Sequence, residues 1–246
     1  MANAKFLYSP LENKPHVFRL LRLVLSSGEL IRCELFNTTV PEYENRYIAG
    51  SYVWGLLQLE EHIQVNGQLF SIRQNLYSFL SACRAEAPLL LWLDAICIDQ
   101  SSIEERNHQV RMMDVIYKNA YATYSWLGSA TADTDWLFSN LPKIPYRLDM
   151  LDGSDMEQLY PDNTFFKASD ILLALAGREY WTRIWIVQEF ILAQKLYLLC
   201  GSMKLAWSRI EKHLEDLAFR HGAKTSQAQS ARLSELFVSR ITTLRQ

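Results

Sequence analysis

Five consecutive apolar residues, Leu89-Leu90-Leu91-Trp92-Leu93, stand immediately before Asp94, and a second strand pattern, Tyr121 to Leu127, stops at Gly128. Continuous apolar runs of this length predict strands covered on both faces, as in a parallel sheet. Ligand crevices in such sheets lie outside the carboxyl ends of the strands, which puts Asp94, Cys97 and Gln100 at a functional rim. Between the two strands, Ser102-Ile103-Glu104-Glu105 has the spacing of a capping box. Ile103, Val110, Met113, Ile116, Tyr117 and Ala120 follow at helical spacing and predict one amphipathic helix.

Shorter alternating runs precede this block. Lys5–Tyr8, Val17–Leu25, Leu30–Phe36 and Tyr47–Trp54 read as strands, the middle pair joined by a Ser26-Ser27-Gly28 turn. Val65-Asn66-Gly67-Gln68 is a type I′ hairpin signal, and Asn75 is placed to cap a helix carrying Leu76, Phe79, Leu80 and Cys83. Residues 129–165 hold Pro142, Pro145 and Pro161 and are strongly acidic, the pattern of an insertion or binding loop. Helices are expected over Lys167–Gly177, Arg183–Gln194, Ser208–Arg220 and Gln229–Leu244, with a strand at Leu196–Cys200. The last helical pattern has no stop signal before Gln246, the mark of a piece of a longer protein.

The fold class expected is therefore α/β. A mainly parallel sheet, flavodoxin-like and flanked by helices, is extended by N-terminal antiparallel strands and the hairpin. Residues 1–201 are read as one domain, with N-terminal strands over 1–46, and 202–246 as helices packed on it or continuing from it.

Composition narrows the function classes. At 246 residues and 49% hydrophobic, the chain can bury one substantial core. A net charge of −2 gives no signal for nucleic acid or an anionic membrane. Cys33, Cys83, Cys97 and Cys200 form no CxxC pair, which fits reduced thiols in a cytoplasmic protein. No apolar run reaches the length of a spanning helix, and no secretory signal is visible. HExxH, GxxxxGK[ST] and GxGxxG are absent, so no metal or resident cofactor is expected.

Three blocks together resemble the fungal heterokaryon incompatibility (HET) domain. They are Tyr47-Ile48-Ala49-Gly50-Ser51-Tyr52-Val53-Trp54-Gly55, then Leu91 to Gln100 with Glu105-Arg106 and Trp126-Leu127-Gly128, then Tyr180 to Glu189 with Cys200-Gly201. The resemblance covers residues 47–201. Gly50 stands where that family usually has Leu, and Asp99 where it usually has Asn. It implies a self/non-self recognition module of fungal innate immunity that triggers programmed cell death, working with an upstream sensor and through homotypic self-assembly. Such domains are similar to Toll/interleukin-receptor (TIR) domains, many of which cleave NAD⁺ at the nicotinamide–ribose bond. By that similarity Glu189 falls on the catalytic glutamate, and NAD⁺ would be substrate and not cofactor.

The residues themselves leave two readings of Glu189. It lies in an otherwise apolar stretch, where a carboxylate must be paired or must open onto a cavity. A structural ion pair with Arg183 or Arg178 stands level with a catalytic role. Ser51, Tyr52, Trp54, Gly55, Asp94, Arg183 and Trp185 are the candidate substrate-binding residues, Asp94 being equally readable as a turn acid. Arg106 reads as a surface ion pair as easily as a phosphate contact. Cys97 with His108 could suggest a thiol hydrolase, but a small buried hydrophobe is the better reading of Cys97. An NAD⁺ hydrolase and an assembly module without chemistry both remain open. A Glu189 facing an open crevice beside Asp94 favours the first; a Glu189 sealed against an arginine favours the second.

Overall fold

The computed structural model describes residues 6–12, 14–26, 28–56, 58–144, 163–183 and 186–221. Nine strands form one sheet: β1 (Val17–Val24), β2 (Arg32–Thr39), β3 (Ile48–Tyr52), β4 (Glu60–Val65), β5 (Gln68–Arg73), β6 (Leu89–Trp92), β7 (Ala122–Trp126), β8 (Leu196–Cys200) and β9 (Met203–Ala206). Their spatial order is β5-β4-β2-β1-β6-β3-β7-β8-β9. The fold is α/β, but the sheet is mixed and not mainly parallel. Parallel pairing is confined to the β6-β3-β7-β8 block and a two-residue contact of β2 with β4, while the longest ladders are antiparallel. The reason lies in β1. Its run Phe18-Arg19-Leu20-Leu21 is buried throughout, which requires an interior place instead of an edge, and the strand lies between β2 and β6, antiparallel to both. The apolar run at 89–93 is an interior strand, as its pattern requires.

The hairpin forms as its sequence dictates: Asn66 and Gly67 both take positive φ, 50° and 81°, at the tip between β4 and β5. Asn66 has a second task, because its side-chain amide accepts from the Leu35 amide and donates to the Leu35 carbonyl, each at 2.9 Å. One side chain thereby prolongs the short β2–β4 ladder.

Several local expectations are corrected. Phe6–Tyr8 is not a strand; the Tyr8 hydroxyl instead reaches the Ile96 carbonyl. After the single turn α1 (Val40–Tyr43), the helix α2 (Gln74–Cys83) starts at Gln74, and Asn75 serves its neighbours, donating to the Val53 carbonyl and accepting from the Trp126 indole. After β6 come α3 (Asp94–Cys97), α4 (Ile103–Arg111) and α5 (Met113–Lys118). The single helix expected over 103–120 is thus broken at Met112, and its apolar face is not uniform, since Ile103 is exposed and Gln109 buried. Ser102 caps α4 by accepting from the Glu105 amide, but the Glu105 carboxylate turns away to Arg19 and the Asp99 amide.

In the acidic segment, α6 (Ala132–Asn140) starts on a capping box of Thr131 and Thr134. The stretch 145–162 lies outside the described residues. Next come α7 (Thr164–Ala176), α8 (Ile186–Ile191) and, after β9, α9 (Trp207–His221). The expected helix at 183–194 is shorter, with Arg183 in extended backbone before it. β9 has no counterpart in the sequence reading, and the expected helix 229–244 lies outside the described residues. One core cluster gathers β1, β3, β6, α2 and α5; a second gathers α6, α7, β8 and α9, where Trp207, Ile210 and Leu214 are buried.

Candidate active-site cleft

The parallel block ends its strands on one side, and β3 delivers Ser51 and Tyr52 there, both buried. Gly50, one residue earlier, explains its own departure from the family pattern. A Cβ at that position would lie 2.3 Å from Leu93 Cδ2 and 2.8 Å from Phe79 Cε1, two fully buried side chains that fill the space instead. Tyr117 donates to the Gly50 carbonyl at 2.9 Å and steadies the strand end.

Asp94 starts α3 at the carboxyl end of β6. Its carboxylate accepts from the Tyr52 hydroxyl at 2.7 Å, the Trp54 indole at 2.8 Å and the Ala95 amide at 2.8 Å. Gln100 donates to its backbone carbonyl at 2.8 Å. This acid organises the crevice lip as well as starting a helix. Trp54 is half-buried, with Arg73 over its ring at 5.1 Å. Gly55 takes φ 75° and its carbonyl accepts from Arg73 at 2.9 Å.

Glu189, on α8, is 2% exposed. Arg183 holds it with a fork, Nη1 to Oε2 at 3.0 Å and Nη2 to Oε1 at 3.1 Å, and Ser51 donates to Oε2. Behind Ser51, the Tyr180 hydroxyl lies 2.7 Å from Ser51 Oγ and donates to Ser125 Oγ at 2.8 Å. Burial pushes the Glu189 carboxyl above its usual range, against the pull of Arg183 and Ser51, and burial likewise pushes the Tyr180 phenol up. Of the two arginines proposed as partners, Arg183 is the one. Arg178 spends its donors on the carbonyls of Leu127 and Ser129.

A cleft of about 440 Å³ brings these groups together, lined in part by Trp54, Asp94, Arg106, Met113, Arg183 and Glu189. The structure therefore gathers Ser51, Tyr52, Trp54, Asp94, Arg183 and Glu189, while Trp185 lies outside the described residues. Arg106, exposed on α4, lines the cleft and forms no ion pair among the described residues. Tyr180 and Ser125 were missed by sequence reading; both are buried polar residues at the site, but nothing in their local pattern separates them from core. Asp99 gains a plain role, its carboxylate accepting from the Ser101 amide at 2.9 Å and hydroxyl at 2.6 Å. Cys97 is fully buried, and desolvation pushes its thiol up to about 12, in keeping with a small buried hydrophobe. No cluster of metal-ligating side chains occurs among the described residues, and no helix among them is long and apolar enough to cross a membrane.

The domain is thus of the α/β class, a mixed sheet flanked by helices with a cleft at the ends of its parallel strands. Residues 47–189 match the family model described as heterokaryon incompatibility protein (HET), and the chain belongs to that family. It is similar to heterokaryon incompatibility protein 6, OR allele, of Neurospora crassa, at 31% identity over 197 residues. That alignment covers 63% of this chain and 28% of the relative, so the chain spans well under a third of that protein. No solved structure matches.

Proposed function

We propose that the chain is the effector domain of a fungal heterokaryon-incompatibility protein, and that its cleft hydrolyses NAD⁺ at the nicotinamide–ribose bond. The observation that carries this reading is a buried carboxylate, Glu189, on the floor of a cleft rimmed by Trp54 and Asp94. In the reaction the bond between ribose C1′ and the pyridinium nitrogen breaks, and its electron pair leaves with nicotinamide. Water adds to C1′ and loses a proton to solvent, giving ADP-ribose. A carboxylate beside C1′ stabilises the oxocarbenium-like transition state. Ser51 and Tyr180 would orient that carboxylate, as groups supporting a reacting side chain do.

One specific observation favours the second reading, a module acting through homotypic assembly without chemistry. Both Glu189 oxygens are taken by Arg183, so the charge the reaction needs is already neutralised. The two readings meet if assembly moves Arg183 away, since a cleft in this state is latched. The assay is nicotinamide release from NAD⁺ by artificially clustered protein, wild type against Glu189→Gln, with thermal melts as the folding control. The expected outcome is release by clustered wild type and none by the folded variant. Full turnover by folded Glu189→Gln refutes the catalytic assignment, and inactivity of clustered wild type leaves assembly alone as the function.

A further inference from the structure

The cleft contains two charged side chains with no ion-pair partner among the described residues. Arg183 and Glu189 satisfy each other, but among the described residues the Asp94 carboxylate is held by the neutral donors of Tyr52, Trp54 and Ala95. No basic side chain among the described residues forms an ion pair with it, and Arg106 has no acidic partner among them. The neighbouring Glu105 is committed to Arg19. The unmatched acid comes from the start of α3 and the unmatched base from α4, both lining one cleft.

Three neutral donors fix this carboxylate in place without bringing a positive charge to it. Val53, Ile98 and Met113 line the same space, and an apolar lining strengthens whatever charge interaction a ligand brings. The complementary ligand thus carries one positive and one negative centre. Building on the NAD⁺ reading above, the oxidised dinucleotide has a cationic pyridinium ring and an anionic diphosphate. The reduced dinucleotide keeps the diphosphate but its ring is neutral, and ADP-ribose has no such ring.

We infer that Asp94 selects the cationic, oxidised nicotinamide ring, and that Arg106 anchors the diphosphate. Asp94 is then a specificity-determining residue with no part in bond breaking. The selection needs no new contact from the protein, because the carboxylate is already fixed by Tyr52 and Trp54.

The test is calorimetric titration of the whole chain with NAD⁺, NADH and ADP-ribose, repeated on Asp94→Asn, Asp94→Glu and Arg106→Gln. For wild type, NAD⁺ is expected to bind about tenfold tighter than NADH, the ratio one partly solvated ion pair supplies. Asp94→Asn should erase that ratio and Asp94→Glu keep most of it. Arg106→Gln should weaken all three ligands by a similar factor and leave the ratio intact. Equal wild-type affinity for NAD⁺ and NADH overturns the inference while leaving an NAD⁺ site in place. Binding of none of the three ligands, by free and by clustered protein alike, overturns both. The wild-type comparison needs no variant, so a poorly folded Asp94→Asn does not blunt the decision, and a ratio that survives in a folded Asp94→Asn refutes the assignment.

Discussion

Arg183→Met isolates the ion pair at the floor of the cleft. The substitution keeps much of the side-chain volume but removes both donors to Glu189, whose side chain is only 3% exposed. Breaking a buried pair from one side costs about 3–5 kcal/mol, because the partner is left charged and unmatched. Two features place this case below that range: the Arg183 side chain is 18% exposed, so water can reach the gap, and Ser51 still donates to the carboxylate. The expected loss is about 2–3 kcal/mol, or about 4–12 °C in Tm for a chain of this size. Much of it should return in the double variant Arg183→Met/Glu189→Gln, since a neutral amide there needs no cation. Thermal melts of the four proteins close a double-mutant cycle. Additive effects, or an Arg183→Met protein as stable as wild type, would refute the view that these groups compensate each other.

Two further outcomes follow from the same site. The folded state holds the Glu189 proton to higher pH than the unfolded chain does. The stability of wild type relative to Glu189→Gln should therefore be greatest below the ordinary glutamate range and decline as pH rises through the raised value. Melts of both proteins across pH 4–8 check this, and a difference that grows with pH would show Arg183 outweighing burial. Gly50→Ala should cost about 1–3 kcal/mol by overpacking, read as a denaturation midpoint, because its Cβ meets Leu93 and Phe79; an unchanged midpoint would show that those side chains yield freely.

The interior strands, the Asn66-Gly67 turn and the oddity of Glu189 were legible because each has a local signature, whereas the shared cleft of Asp94 and Glu189 was an open question that only the fold could answer. Apolar runs fix burial, an Asn-Gly pair fixes a turn, and a carboxylate in an apolar stretch demands an explanation. Strand direction was not legible. A buried run such as 18–21 says that β1 is interior, but not which neighbours it takes or with what polarity. Helical spacing over 103–120 concealed the break at Met112, because the pattern is nearly continuous across it and the buried Gln109 reads as surface. Glu105 misled for a related reason: its capping role competes with Arg19, a cation 86 positions away, and local rules see only the near partner.

That distant cation has a consequence for how this domain is cut and joined. Arg19 is 1% exposed, and besides Glu105 it donates to the carbonyls of Ser9 and Cys97, so it ties the N-terminal segment to the end of α3 and the first turn of α4. The recognisable family block begins only at residue 47, yet the strand bearing Arg19 lies inside the sheet, against β6. The portion that sequence comparison can see is thus smaller than the portion that must travel together. A recombinant fragment or natural fusion that kept only the recognisable block would open the sheet in its middle and strand Glu105 beside the cleft wall, so the transferable unit of this domain starts upstream of its signature.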